Sequence, residues 1–228
     1  MDRTQLHFLI SAEGRHLLEK TAQTPIDSSN HLQIASSLRR QVGPESAQSV
    51  IETVLLRQLA KKKFHRASKM FFTRPALEQA SSETISTYRA QRFANAGFTC
   101  IADLGCSIGG DALALAAHAD VIGIDFDLIR LTMAGQNVLA YGHKERFYPL
   151  QADLMMMPAI PCQAFFFDPA RRDETGKRLR SVELYQPPVK VADPWLRQVP
   201  HAAIKISPGV DYEELPLDAE VEIISLKG

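Results

Sequence analysis

The sequence predicts a doubly wound α/β sheet preceded by a small all-helical N-terminal domain, on three observations. The first 92 residues contain only two glycines, Gly14 and Gly43, and their apolar residues recur at helical spacing, as in Val50, Val54, Leu55 and Leu59. From Thr99 onward, short apolar runs alternate with helical stretches, the pattern of a parallel sheet with crossover helices. A length of 228 residues suits two modest domains.

In the first half, helix-start signals fall at Pro44 with Ser46, at Thr73-Arg74-Pro75 and at Ser81-Ser82-Glu83, and Asn95-Ala96-Gly97 closes the last helix. The expected domains are 1–92, helical, and 93–228, built on the sheet. Strands are expected near 100–104, 121–125, 146–151, 163–167, 202–206 and 220–226, and helices near 109–118, 127–141 and 189–198. The segment 168–188 is polar, basic and without periodicity, which reads as a long loop of the kind that carries function in compact domains.

Composition narrows the classes. Hydrophobic residues at 45% and charged residues at 23% exclude a disordered chain. No apolar run reaches the roughly 18–20 residues of a membrane span, and the N-terminus MDRTQLHFLI lacks a signal-peptide pattern, so a cytoplasmic protein is expected. Cys100, Cys106 and Cys162 form no CxxC pair and no histidines stand at ligand spacing, so neither disulfide nor metal is expected. The net charge of zero hides an asymmetry: residues 1–92 hold 14 Lys/Arg against 8 Asp/Glu, a balance of +6, and residues 93–228 carry the opposite −6.

The strongest motif is the run from Ile101 to Asp111, an apolar strand that leads into glycines opening a helix. Glycines at such a turn let a ligand approach the backbone. Their spacing, Gly-x-x-x-Gly-Gly, differs from the Gly-x-Gly-x-x-Gly of dinucleotide oxidoreductases and favours S-adenosylmethionine (SAM) over NAD. A second strand ends at Asp125, where a carboxylate can accept both hydrogen bonds of a ribose diol, and a third ends at Asp153, placed to take an adenine amine. A doubly wound fold that binds another nucleotide is the alternative.

The motifs DLGCSIGGD, VIGIDFD, QAD and FFFDPARR together resemble the class I SAM-dependent methyltransferases, with a Rossmann-like sheet, over about 98–228. Within that superfamily the chain is similar to the trimethylguanosine synthase-like RNA methyltransferases, and more closely to a bacterial THUMP-like group. In that group a KMFFTRPALEQAS-like stretch, here Lys69 to Ser81, precedes the core and a DPARRD, here Asp168 to Asp173, follows the fourth strand. The resemblance implies that Asp103, Gly105 and Gly109 line the methionine end of SAM, Asp125 holds the ribose and Asp153 reads the adenine. Ser107 stands where the pattern has glycine, and a serine is expected to fit only with a negative φ.

Asp168-Pro169 is similar to the Asp/Asn-Pro-Pro-aromatic signature of methyltransferases that act on exocyclic amines, in which a carboxylate and a backbone carbonyl accept the amine's protons and steer its lone pair. Asp168 and Pro169 are therefore the catalytic candidates, with a plain strand-ending turn as the alternative. Ala170 replaces the second proline and Arg171 the aromatic, so Arg171 and Arg172 are expected to stack on a base or hold phosphate. The stretch from Arg57 to Arg74 carries seven cations, among them Lys61, Lys62 and Lys63, no acid, and Phe64, Phe71 and Phe72. Basic groups interleaved with aromatics are a footprint of RNA binding; a solvated basic face over a phenylalanine core is the other reading. Met155 to Met157 and Trp195 read as core or loop packing.

The expected activity is SAM-dependent methylation of RNA at a base nitrogen. The alternatives are a protein or small-molecule methyltransferase, a SAM-binding module without turnover, and a nucleotide oxidoreductase. Only one apolar run, Val221 to Leu226, follows the fifth strand, so the sheet is expected to lack its last strand; the resemblance to the THUMP-like group implies that this strand and a C-terminal domain would lie in further sequence.

Overall fold

Short polar side chains mark several helix starts, because an oxygen there accepts one of the four backbone N–H groups that a first turn leaves unpaired. The computed structural model describes residues 1–172, 177–214 and 219–226, in two units, Met1–Ala80 and Ser81–Gly228.

The first unit holds helices α1 (Arg3–Ile10), α2 (Ala12–Thr21), α3 (His31–Val42), α4 (Pro44–Ala60) and α5 (Arg74–Gln79). Asp2 and Gln5 form a reciprocal capping box on α1, Ser11 caps α2, and Thr73 caps α5 by accepting the Ala76 N–H. Gly14 lets α2 pass against α1: a Cβ there would stand 2.1 Å from the Phe8 carbonyl oxygen. The interior is filled by Leu9, Leu18, Val50, Val54 and Leu56 together with Phe64, Phe71 and Phe72, all at most 1% exposed. The aromatic half of the proposed RNA footprint is thus core, since three phenylalanines bury more apolar area than any neighbouring residue could. Arg57 is drawn in with them. It donates to the Met70 carbonyl at 2.8 Å, lies 4.9 Å from the Phe71 ring centroid, and burial pushes its pKa down to about 10.

Whereas the sequence reading set a boundary at 92, the contacts divide the chain after Ala80, and helix α6 (Glu83–Asn95) goes with the sheet. The reason is Arg89, whose guanidinium pairs with Asp111 and lies 4.4 Å from the Phe166 ring centroid. Strands β1 (Cys100–Leu104), β2 (Asp120–Asp125), β3 (Phe147–Gln151), β4 (Ala164–Phe167) and β5 (Ala202–Ile204) form a parallel sheet in the order β3-β2-β1-β4-β5. Pro149 has no N–H to give a ladder and sits in β3, an edge strand, where that is tolerated. Helices α7 (Ala112–Leu115), α8 (Leu128–Ala140) and α9 (Asp193–Leu196) complete the described helices.

Alternation along the strands sorts the faces. Ala102, Leu104, Phe165 and Phe167 pack on one side with fully buried Trp195, which meets Phe165 edge-on at 5.8 Å. Asp103 and Phe166, paired in register between β1 and β4, therefore face the other side, toward Arg89.

Four expectations about elements change. The helix expected over 109–118 is regular only over Ala112–Leu115, because the backbone around it mixes three- and four-residue hydrogen-bonded turns after two glycines. The helix expected over 189–198 splits into a 3₁₀ turn, Val189–Ala192, and α9, with Pro194 in its first turn. The described residues of 168–188 carry bridges from Ala170 to Gln186 and Arg172 to Arg178, and Val182 and Tyr185 form a small core with Val210. No strand forms over 220–226: Val221, Ile223, Ile224 and Leu226 are exposed, and Glu222 instead binds Tyr88 and Arg92 on α6.

Candidate functional site

Parallel strands put their carboxyl ends on one edge, so residues at or just past the ends of β1, β2, β4 and β5 become neighbours whatever their separation in sequence. Leu104 is level with Ile124 and Phe167, and Phe167 with Ile204. One residue further on stand Gly105, Asp125, Asp168 and Lys205. This edge is where open α/β sheets bind ligands.

The turn after β1 is built from left-handed backbone. Gly105 has φ +72° and Gly109 has φ +75°, and a Cβ at Gly109 would stand 3.0 Å from the Ala134 Cβ and 3.1 Å from its Cα. Gly109→Ala is expected to lower stability by about 2–3 kcal/mol and to displace the turn, because both the backbone angle and the approach to α8 forbid a methyl group. Thermal unfolding of the variant checks this; an unchanged midpoint would contradict the geometry.

Ser107 corrects an expectation: it sits in the turn with φ +50°, not a negative value. The left-handed conformation costs a serine about 1 kcal/mol, and a hydrogen bond offsets it. The Ser107 N–H donates to Asp125 Oδ2 at 2.8 Å, while the Asp127 N–H donates to Asp125 Oδ1 at 2.9 Å. Asp125 thereby ties the β1 turn to the end of β2, and burial still raises its pKa despite these donors. Beside it, Phe126 is 69% exposed, a large apolar ring left in solvent that the sequence reading passed over. Its signal was position: an aromatic between two acids, directly after a strand. Asp153 is exposed, and its carboxylate accepts the Met155 N–H at 2.9 Å.

Asp103 is buried without a full set of partners. It is 2% exposed, its Oδ2 has no hydrogen-bond partner, and burial together with nearby Asp168 pushes its pKa up to about 7 against the pull of Arg89. An orphaned buried carboxylate oxygen lacks a donor, and an ammonium supplies one.

Asp168 follows β4, and Pro169 behind it is buried. Its Oδ2 binds the Lys205 ammonium at 2.5 Å. Lys205 was missed in the sequence, where it is a single cation in the apolar run Ala202-Ala203-Ile204-Lys205-Ile206. Arg171 is half-buried and close enough for its charge to be felt at Arg89 and Lys205; Arg172, Arg178 and Arg180 are exposed. Asp173 lies outside the described residues.

In the first unit the three lysines part company. Lys61 and Lys62 are exposed, whereas the Lys63 ammonium donates to the carbonyls of Leu77, Glu78 and Ala80 at 2.8–3.0 Å, where it caps the end of α5. Among the described residues no group of three or more His, Cys, Asp or Glu side chains could hold a metal ion, and no helix is long and apolar enough to cross a membrane.

The groups present fit SAM: an orphaned carboxylate to accept from its ammonium at Asp103, open backbone at Gly105, and a carboxylate to accept from its ribose at Asp125. Comparison with known proteins agrees. Residues 98–195 match the family model described as RNA cap guanine-N2 methyltransferase, and residues 2–60 match a domain of unknown function. Two curated relatives from Mycobacterium tuberculosis, strains CDC 1551 and H37Rv, both named as uncharacterized S-adenosylmethionine-dependent methyltransferases, are 32% identical over 194 residues, which is 78% of this chain. The chain spans about half of their length, 51%. A solved structure from Porphyromonas gingivalis W83, described as a methyltransferase with no substrate stated, covers 82% of this chain and 51% of its own at a TM-score of 0.57 and 20% identity, a likeness of fold. By fold and by family match, residues 98–195 form the core of a class I SAM-dependent methyltransferase domain.

Proposed function

We propose that this protein methylates RNA at a base nitrogen, that it acts in the cytoplasm, and that it belongs with the THUMP-like bacterial group. The observation that carries the reading is the junction at the sheet edge: Asp103 and Asp125 at one end, Asp168 beside them, and Arg171 with the exposed Arg172, Arg178 and Arg180 following directly. The family description, a guanine-N2 methyltransferase of RNA caps, names an exocyclic amine as acceptor and supports the same choice.

In this reading Asp103 takes the ammonium of SAM, Asp125 the ribose diol, Asp153 the adenine amine, and Gly105, Ser107 and Gly109 shape the turn over which the cofactor lies. The exposed Phe126 ring adds a flat apolar surface for the adenine. SAM supplies a methyl group on a sulfonium, already a good leaving group, so the protein's contribution is mostly placement. A free oxygen of Asp168 and the carbonyl beside Pro169 accept the amine's protons and turn its lone pair toward the methyl. The nitrogen would take the methyl as the sulfur–methyl bond breaks, and its surplus proton would pass to the Asp168 carboxylate and on to solvent. Arg171 and Arg172 stack on the base or bind its phosphate.

On the first unit Lys61 and Lys62 make phosphate contacts of their own, and Lys63, engaged at α5, does not. That loss, with Phe64, Phe71 and Phe72 in the core, narrows the RNA footprint of the first unit and favours a protein or small-molecule acceptor as the second reading.

Incubation with methyl-labelled SAM and separate fractions of total RNA and total protein tests the choice. Label is expected in RNA, and charge reversal at Lys61 and Lys62 is expected to reduce the salt slope of RNA binding by about one to two ions. Label confined to protein would overturn the RNA reading.

A further inference from the structure

We propose that Lys205 is a positioning residue of the transfer site: anchored by Ser81, it holds the Asp168 carboxylate by one oxygen and leaves the other for the acceptor. This deepens the function proposed above and rests on it. Lys205 and Ser81 both lie outside residues 98–195, the span matched by the family model.

Register places the two side chains together. Phe167 and Ile204 are level across β4 and β5, so Asp168 and Lys205 leave the sheet side by side, and the Lys205 N–H donates to the Phe167 carbonyl at 2.8 Å. The ammonium reaches Asp168 Oδ2 at 2.5 Å and the Ser81 hydroxyl at 3.0 Å, with the lysine and aspartate side chains only 19% and 22% exposed. Ser81 is itself buried and stands two residues before α6, so the anchor is fixed from outside the sheet. A lysine in an apolar strand end loses hydration that only good acceptors replace. Burial accordingly lowers the Lys205 pKa while Asp168 opposes the shift.

The need for an anchor follows from the competing cations. Arg89 on α6 and Arg171 after β4 also attract this region, and Arg89 is already paired with Asp111. Two further cations nearby give an untethered carboxylate more than one group to turn toward. Lys205 selects one, and misplacement of an orienting group by about 1 Å can cost on the order of 100-fold in rate.

The test compares Lys205→Met, Lys205→Arg and Ser81→Ala in the full chain, each alone and in an Asp168→Ala background. Lys205→Met is expected to lower kcat on RNA by about 10- to 100-fold, with affinity for S-adenosylhomocysteine unchanged within about threefold, and Lys205→Arg to restore most of the loss. In the Asp168→Ala background the same change is expected to cost nothing further, because the lysine acts through that carboxylate. Equal costs in both backgrounds, or an unchanged kcat, would overturn the proposal. Amine-reactive labelling read by mass spectrometry needs no turnover. Lys205 is expected to be shielded in the wild type and reactive in Asp168→Ala, and wild-type labelling as fast as at exposed Lys61 would overturn the anchor. A wild type that methylates no RNA but shows this shielding would retain the anchor and overturn the RNA reading.

Discussion

Asp168→Ala is expected to lose most turnover, at least about 100-fold, while affinity for SAM stays within a few fold. The expectation comes from where Asp168 stands, past the end of β4 and level with the glycine turn, with one oxygen held by Lys205. In the proposed reading the carboxylate orients the acceptor, and it bonds Lys205 rather than the glycine turn, so binding and chemistry separate. Asp168→Asn is the informative partner, because an amide oxygen can still accept an amine proton; it is expected to retain more activity than the alanine variant. Single-turnover transfer with saturating SAM reads both. Equal activity in the wild type and the alanine variant would mean that another group positions the acceptor.

Asp103→Asn is expected to abolish cofactor binding and, in the free protein, to change how stability depends on pH. The Asp103 carboxyl titrates at about 7 in the folded chain against an ordinary 3.8, so between those values the folded state holds a proton that the unfolded state has released. Stability from this group therefore falls as pH rises from about 4 to 7, the reverse of a salt-bridged carboxylate. An asparagine cannot titrate. The stability of the variant relative to wild type is accordingly expected to rise by on the order of 2 kcal/mol between pH 5 and pH 8, as measured by denaturant unfolding without cofactor. Parallel curves for the two proteins would show that Asp103 does not carry a raised pKa.

Much of the sheet was legible because its signal is local. Runs such as Cys100–Leu104 and Ala164–Phe167 are apolar, short and bounded by turn residues, and they form strands within a residue of their expected limits. The apolar run at 221–226 looked similar but forms no strand, since Glu220 and Glu222 within and beside it bind Arg92 on α6. Pattern alone does not say whether an apolar run has a partner. Asp125 and Asp168 were readable as residues at strand ends, whereas Lys205 was not, because its neighbour depends on β5 lying next to β4. The basic run from Arg57 to Arg74 shows the same limit. Its charges and rings are adjacent in sequence, yet the fold turns Phe64, Phe71 and Phe72 inward, buries Arg57 and assigns Lys63 to a helix end. Ser107 failed differently: a steric preference was read as a prohibition, and a hydrogen bond to Asp125 outweighed it.

If the carboxyl edge of β1 and β2 is a SAM site, isothermal titration of the full chain with S-adenosylhomocysteine, with NAD as the control, will show it. One saturable site is expected for S-adenosylhomocysteine, lost in Asp125→Ala and in Asp103→Asn, with no binding of NAD. Binding of NAD, or S-adenosylhomocysteine affinity unchanged in both variants, would contradict it.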